Sequence, residues 1–349
     1  MINLKNVIRP NIIELQPYSN ARDESNGKGS IFLDANENPF GSLNRYPDPY
    51  QKELKQKLAT LKGVDTDTLF IGNGSDEIID LAFRIFCRPK IDKALTFSPT
   101  YGMYDASASI NDIALLKLSL TKNFQLNIEK LKPYLSDNCI KLIFICSPNN
   151  PTGNLINKED IAFILKTFKG IVVIDEAYID FTEKKSLISL IKTYNNLIVS
   201  QTFSKAWGLA AARVGVAYAD KEIIAYYNKI KPPYNVSELN QKAAIKALKN
   251  YSAYQENLAL ILKEKELLKN SLQKLNMVKK VHPSDANFLL IEVDNADKMY
   301  HSLVDEQILT RNRNKLVSNC IRITVGTSEE NKKLVTALKK YDEKSIIYR

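Results

Sequence analysis

Five short apolar runs, rich in β-branched and aromatic residues, punctuate the middle of the chain. Ala94–Phe97, Lys141–Cys146, Ile171–Ile174, Leu197–Ser200 and Val214–Ala219 predict strands. Stretches with helical spacing separate them, and this alternation predicts βαβ units. The expected fold class is α/β, a mostly parallel central sheet flanked by helices, with a smaller α+β C-terminal domain. Every run but the last leads into polar or Gly/Pro-rich residues, where open α/β sheets bind their ligands. Upstream, Tyr50 to Leu61 carries the spacing of a helix. Residues 1–40, with Pro10, Pro17, Pro39 and a polar stretch from Ser19 to Ser30, predict an irregular arm. Downstream, one long helical stretch from about Ser237 to Leu275 places Ala244, Leu248, Tyr251, Leu258, Leu262 and Leu268 at apolar positions. It leads to strands at Asn287–Val293 and Cys320–Val325 and a terminal helix near Glu329–Lys340. The expected division is an arm at 1–40, a large domain at 41–250 and a small domain at 251–349.

Composition narrows the function classes. A chain of 349 residues with 44% hydrophobic and 25% charged residues fits a globular protein with a sizeable core. No apolar run approaches the roughly 20 residues of a membrane helix, and no signal-peptide pattern opens the chain. A cytoplasmic enzyme is expected. The net charge of +10 is spread along the chain, which suits a lysine-rich surface or the capture of small anions rather than nucleic acid. Cys87, Cys139, Cys146 and Cys320 form no CxxC pair, and with only His282 and His301 the chain has no HExxH zinc motif.

The chemistry gathers after the strands. Ser200-Gln-Thr-Phe-Ser-Lys205 places one lysine behind two hydroxyls, Thr202 and Ser204, with Arg213 eight residues on. A lysine amine of lowered pKa attacks aldehydes, and hydroxyls with a guanidinium suit a phosphate; a surface lysine has the same pattern. Asp175 ends the Ile171–Ile174 run, where a carboxylate can pair with a protonated ring nitrogen or cap a helix. Tyr178 follows three residues later, as a hydrogen-bonding partner or a core aromatic. In Cys146-Ser-Pro-Asn-Asn150-Pro-Thr-Gly153, two prolines and a glycine hold Asn150 in a fixed direction. Gly72-Asn-Gly-Ser75-Asp76 opens an amphipathic helix whose free N–H groups suit a phosphate, although Ser75 can also be a simple cap. Tyr101, in Ser98-Pro-Thr-Tyr-Gly-Met-Tyr104, can stack on a flat ring or pack in the core.

Taken together, these residues resemble the fold-type I, aspartate aminotransferase-like family of pyridoxal 5′-phosphate enzymes, whose cofactor residues run in the order Tyr101, Asn150, Asp175, Tyr178, Lys205, Arg213. The likeness extends to Leu33-Asp-Ala-Asn-Glu-Asn-Pro39, Asn44-Arg-Tyr46-Pro47, Asp175-Glu-Ala-Tyr-Ile-Asp-Phe181 and Cys320-Ile-Arg322-Ile-Thr-Val-Gly326. The resemblance implies pyridoxal 5′-phosphate as cofactor and Lys205 as its Schiff-base lysine and proton shuttle. It implies Asp175 at the pyridinium nitrogen, Tyr178 and Asn150 at the ring oxygen, and Tyr101 on the ring face. Thr202, Ser204, Arg213 and the backbone of Ser75 and Asp76 would hold the phosphate. Tyr46 would reach the partner subunit's cofactor phosphate in a homodimer, and Arg322, Arg311 and Tyr18 would bind the anionic end of the substrate. A glycine of the family pattern is replaced by Ala211. The implied reaction is reversible amino transfer from L-histidinol phosphate to 2-oxoglutarate, giving imidazole acetol phosphate and L-glutamate. Aromatic amino acids as donors, decarboxylation of a phosphorylated amino acid, and a non-catalytic cofactor-sensing module are the other readings. The chain begins almost at the arm, which argues against the last.

Overall fold

The computed structural model describes residues 2–18 and 31–347, with side chains to residue 343; the polar stretch expected at Ser19–Ser30 lies outside them. A seven-stranded sheet is built from β1 (Leu69–Asn73), β2 (Lys93–Ser98), β3 (Ala114–Ser119), β4 (Ile140–Cys146), β5 (Ile171–Asp175), β6 (Leu197–Thr202) and β7 (Val214–Ala219). Their order in space is β1-β7-β6-β5-β4-β2-β3. All neighbours run parallel except β7, which is antiparallel to both β1 and β6.

The central strands β5 and β6 are buried along their whole length. Their unbroken apolar runs are what a sheet covered on both faces requires. One face packs Ile71, Ile143, Val172 and Val199 under the helices Lys52–Lys62 and Lys158–Thr167. The other packs Phe70, Phe144, Val173 and Ile198 under Ser75–Phe86 and Lys221–Ile230. The second face also receives Leu4, Val7, Ile8 and Ile12. The start of the chain is therefore less irregular than its prolines suggest: Pro10 stands at the first turn of a short helix, Pro10–Glu14, where its missing N–H costs nothing.

The long helical stretch proves to be two helices, Glu238–Lys249 and Tyr251–Leu272. Asn250 breaks it, with φ −106° and ψ 54°, while its N–H still caps the first helix through Lys246 and Ala247 carbonyls. Apolar periodicity does not register a one-residue change of helix direction. Beyond it, β8 (Val278–Val281), β9 (Phe288–Val293), β10 (Arg311–Asn312) and β11 (Cys320–Thr324) form an antiparallel sheet in the order β10-β11-β9-β8. Its separate core holds Leu268, Met299, Ile321 and Leu338, among others. A smaller cluster, Tyr178, Phe181, Ala206, Ala286 and Phe288, joins the two sheets' domains.

Strands β1, β3, β8 and β10 were not expected. β3 is a half-exposed edge, β8 is Val-Lys-Lys-Val, and β10 has two residues, so none carries a long apolar signature. β1 is apolar and buried but only five residues long, and Gly72 lies within it. Among the described residues no helix is long and apolar enough to cross a membrane.

Candidate functional site

Parallel pairing sets Cys146 beside Asp175 and Asp175 beside Ser200, so the carboxyl ends of β4, β5 and β6 align. The loops leaving these ends, the start of the Ser75–Phe86 helix and the faces of β10 and β11 enclose a cavity of about 390 Å³. Its walls include Ser75, Asp76, Tyr101, Asn150, Asp175, Tyr178, Thr202, Ser204, Lys205, Arg213, Arg311, Arg313 and Arg322. Residues up to 247 positions apart in the sequence thus meet at one sheet edge. A larger cleft of about 730 Å³ lies on the other side of the Lys205 turn, walled by Trp207, Tyr254 and Leu260, but Lys205 alone of these site residues reaches it.

Asp175 is 2% exposed. It accepts from Tyr104 Oη at 2.9 Å and from Ala177 N at 3.2 Å. Among the described residues no cation forms an ion pair with it. Burial pushes its carboxyl up to about 6, against the pull of those two donors. Lys205 Nζ stands 5.7 Å from the centroid of the Tyr178 ring. Burial, then the charge of Arg322, holds its amine below the ordinary lysine range, which favours the neutral, nucleophilic form. Asn150 Nδ2 donates to Tyr178 Oη at 3.3 Å. Burial raises the Tyr178 phenol, so it remains a donor.

The far end of the cavity is an anion cradle. Gly74 has φ 77° and lets the chain enter the helix at Ser75 without a side-chain cap. The first N–H groups of this 12-residue helix have no partner within the helix. Thr202 Oγ1 lies 3.0 Å from Ser204 Oγ, and Arg213 Nη1 lies 3.5 Å from the same hydroxyl. Arg213 Nη2 pairs with Asp76 Oδ2 at 3.0 Å, and Tyr101 Oη donates to Asp76 Oδ1 at 3.2 Å. Gly215 makes this closeness possible: a Cβ there would stand 2.4 Å from the carbonyl carbon of Gly74.

The opposite wall belongs to the small domain. Antiparallel pairing sets Arg311 across from Arg322, with Arg313 next to them. Arg322 Nη1 donates to Asn150 Oδ1 at 2.5 Å. Among the described residues, the buried Nε groups of Arg313 and Arg322 have no hydrogen-bond partner. Burial, then Arg322 and Arg311, pushes Arg313 down to about 10, and burial lowers Arg322 as well.

The side chains fit pyridoxal phosphate. A buried carboxylate without a cation suits a pyridinium nitrogen, the Tyr101 ring suits a flat ring, and the helix start with Thr202, Ser204 and Arg213 suits a phosphate. Two residues expected at the site lie outside this cavity. Tyr46 stacks on Tyr234 at 4.3 Å and 14°, beside a separate cleft with Arg45 and Leu43. Tyr18 is exposed. Two others were not expected there. Tyr104, in the first turn of the Met103–Ile110 helix, reaches Asp175 from 71 positions away, and no local pattern marks that contact. Arg313 directly follows β10, its N–H still bonded to the Cys320 carbonyl, and it alternates with Arg311, so both side chains reach the cavity. Ala211, the replaced glycine, is exposed on a short 3₁₀ turn, Ala210–Ala212.

The family model for aminotransferase class I and II matches residues 20–338. The histidinol-phosphate aminotransferase of Cytophaga hutchinsonii is 49% identical over 346 residues, 97% of this chain and 99% of that protein. Among solved structures, the histidinol-phosphate aminotransferase from Clostridium acetobutylicum superposes with a TM-score of 0.80 at 29% identity, covering 86% of this chain and 92% of that one. The enzyme of that name from Sinorhizobium meliloti, solved with pyridoxal 5′-phosphate, has a TM-score of 0.80 over 96% of this chain and 98% of its own. At 22% identity it shows the fold alone.

Proposed function

The chain belongs to the class I and II aminotransferase family, and from that premise we propose that it moves the amino group of L-histidinol phosphate to 2-oxoglutarate, giving imidazole acetol phosphate and L-glutamate in histidine synthesis. It is a pyridoxal 5′-phosphate-dependent aminotransferase. The cofactor, when bound, supplies a carbonyl carbon for covalent amine attachment and a ring that accepts electrons. The chain's own residues do the rest. Lys205 Nζ holds the cofactor and, once released, carries a proton at the reacting centre. Asp175 keeps a positive charge at the ring nitrogen. Tyr178 and Asn150 offer hydrogen bonds to the ring oxygen, and Tyr101 covers one face. Thr202, Ser204, Arg213 and the N–H groups of Ser75 and Asp76 grip the phosphate.

One observation carries the choice of donor. Arg311, Arg313 and Arg322 converge on the cavity that holds Lys205, and two of them bury an Nε with no partner. A carboxylate needs one guanidinium, whereas a phosphate dianion has the charge and the acceptor oxygens to satisfy several. The decisive measurement is kcat/KM for histidinol phosphate against phenylalanine as donor. A clear preference for histidinol phosphate is expected; a preference for phenylalanine would make the chain an aromatic aminotransferase.

The active unit in this reading is a cytoplasmic homodimer with Tyr46 supplied across the interface, and Tyr18 binds the anionic end of the substrate. Ile31, Leu33, Phe40 and Leu43 are exposed on the same segment as Tyr46, and such a cluster of apolar side chains suits burial against a second copy. Mixed dimers of Tyr46→Phe and Lys205→Ala chains would carry one site with both defects and one with neither. Activity should recover on subunit exchange. Heterodimers that form without recovery would place Tyr46 elsewhere.

A further inference from the structure

Four side chains from both domains close into a ring. Arg322 Nη1 donates to Asn150 Oδ1 at 2.5 Å, and Asn150 Nδ2 donates to Tyr178 Oη at 3.3 Å. The Tyr178 ring meets Phe288 edge-on, at 5.2 Å and 87°. The face of Phe288 in turn carries the Arg322 guanidinium, 5.2 Å from the ring centroid. Strand register produces this last contact. In the β9–β11 pairing Arg322 lies across from Leu290, and Thr324 across from Phe288. Arg322 and Phe288 are diagonal neighbours on one face, within reach for long side chains. Phe288 is 2% exposed and is held from behind by the domain-joining cluster with Tyr178, Ala206 and Ala286.

We propose that Phe288 is a positioning residue that couples anion recognition at Arg322 to the Tyr178–Asn150 pair at the cofactor's ring oxygen. The inference rests on the site roles of the proposed function and adds a residue that lines neither the cavity nor the anion cradle. Its physical basis is the state of Arg322. The guanidinium faces the like charge of Arg311 and Arg313, and among the described residues its Nε has no partner and Asn150 is its one side-chain hydrogen bond. The electron-rich face of Phe288 offsets this repulsion and sets the plane of the guanidinium. The edge of the same ring fixes the Tyr178 ring, and so the direction of its hydroxyl. An anion that draws on Arg322 competes for the donor now given to Asn150. The loss reaches Asn150 and Tyr178 together, because Phe288 keeps Arg322 and Tyr178 from turning independently.

The test uses the cofactor-loaded enzyme. Phe288→Leu and Phe288→Met keep an apolar side chain but lose the aromatic face, and Phe288→Tyr keeps the face. For the first two, KM for 2-oxoglutarate should rise roughly 3- to 30-fold, with kcat within about threefold of wild type. The pH midpoint of the cofactor's visible absorption should shift when the non-reacting dicarboxylate succinate binds to wild type. That shift should shrink in Phe288→Leu and Phe288→Met and persist in Phe288→Tyr. Should Phe288→Leu fail to fold, Phe288→Met carries the same comparison. Unchanged KM with the full succinate shift in a folded Leu or Met variant overturns the coupling. Arg322→Ala separates the two levels: if it raises KM while the Phe288 variants are silent, only this inference falls. If Arg322→Ala leaves KM unchanged, the site reading falls with it.

Discussion

The two walls of the cavity are built on opposite terms. The large-domain wall is nearly complete in itself: Asp175 has two donors, Arg213 is paired with Asp76, and Thr202 with Ser204. The small-domain wall is three arginines set against one another, two with an Nε that no described residue satisfies. A wall of aligned strand ends is held by backbone pairing whether or not it is loaded. A wall of like charges costs stability until an anion arrives. Under the proposed function, the contrast separates what stays fixed through a catalytic cycle from what releases one substrate and accepts another.

The contrast can be broken first at Lys205. Lys205→Ala should abolish the covalent hold on the cofactor and lower turnover by at least about 10³-fold, read from the visible absorption and from kcat. Turnover near wild type would remove Lys205 from the chemistry.

Asp175 gives the next largest effect and an opposite one on stability. Asp175→Asn should lower kcat by roughly 10²- to 10³-fold, as expected for a lost electrostatic partner. Its pKa rises from 3.8 to about 6 on folding, so the folded chain favours the neutral carboxyl. That contribution is fully present below about pH 4 and is lost as the pH rises through 6. Above pH 6 the cofactor-free fold bears a cost of roughly 3 kcal/mol. The cofactor-free Asp175→Asn protein should therefore melt a few degrees higher than wild type at pH 8, and the gap should close near pH 4. A gap independent of pH would mean that the buried charge is not what the fold tolerates for function.

The arginine wall should show smaller, selective losses. Arg322→Ala should harm every anionic substrate. Arg311→Ala and Arg313→Ala should harm histidinol phosphate more than phenylalanine, by roughly 1–3 kcal/mol each, measured as kcat/KM for both donors. Equal losses would mean that the outer arginines shape the wall without reading the phosphate.

The large-domain wall was legible in the sequence because each of its residues follows a local pattern. Asp175 ends a β-branched run, Lys205 follows β6 by three residues, and Asn150 lies between two prolines. Once the strands are parallel, their carboxyl ends must share an edge, so residues at those ends converge without further information. The arginines were partly legible. Arg322 sits on a readable strand, but β10 has two residues and no apolar signature, so Arg313 had no pattern to mark it.

Contacts between distant segments were decided only by tertiary structure. Tyr104 donates to Asp175 across 71 positions because the Met103–Ile110 helix turns its phenol under the strand ends. Phe288 meets both Tyr178 and Arg322 because the β9–β11 register and the packing of one domain on the other bring three segments to one point. Periodicity and turn chemistry report what a residue does with its near neighbours in sequence. They carry no term for the side chain it meets from another domain, and that meeting depends on how two cores fill the space between them.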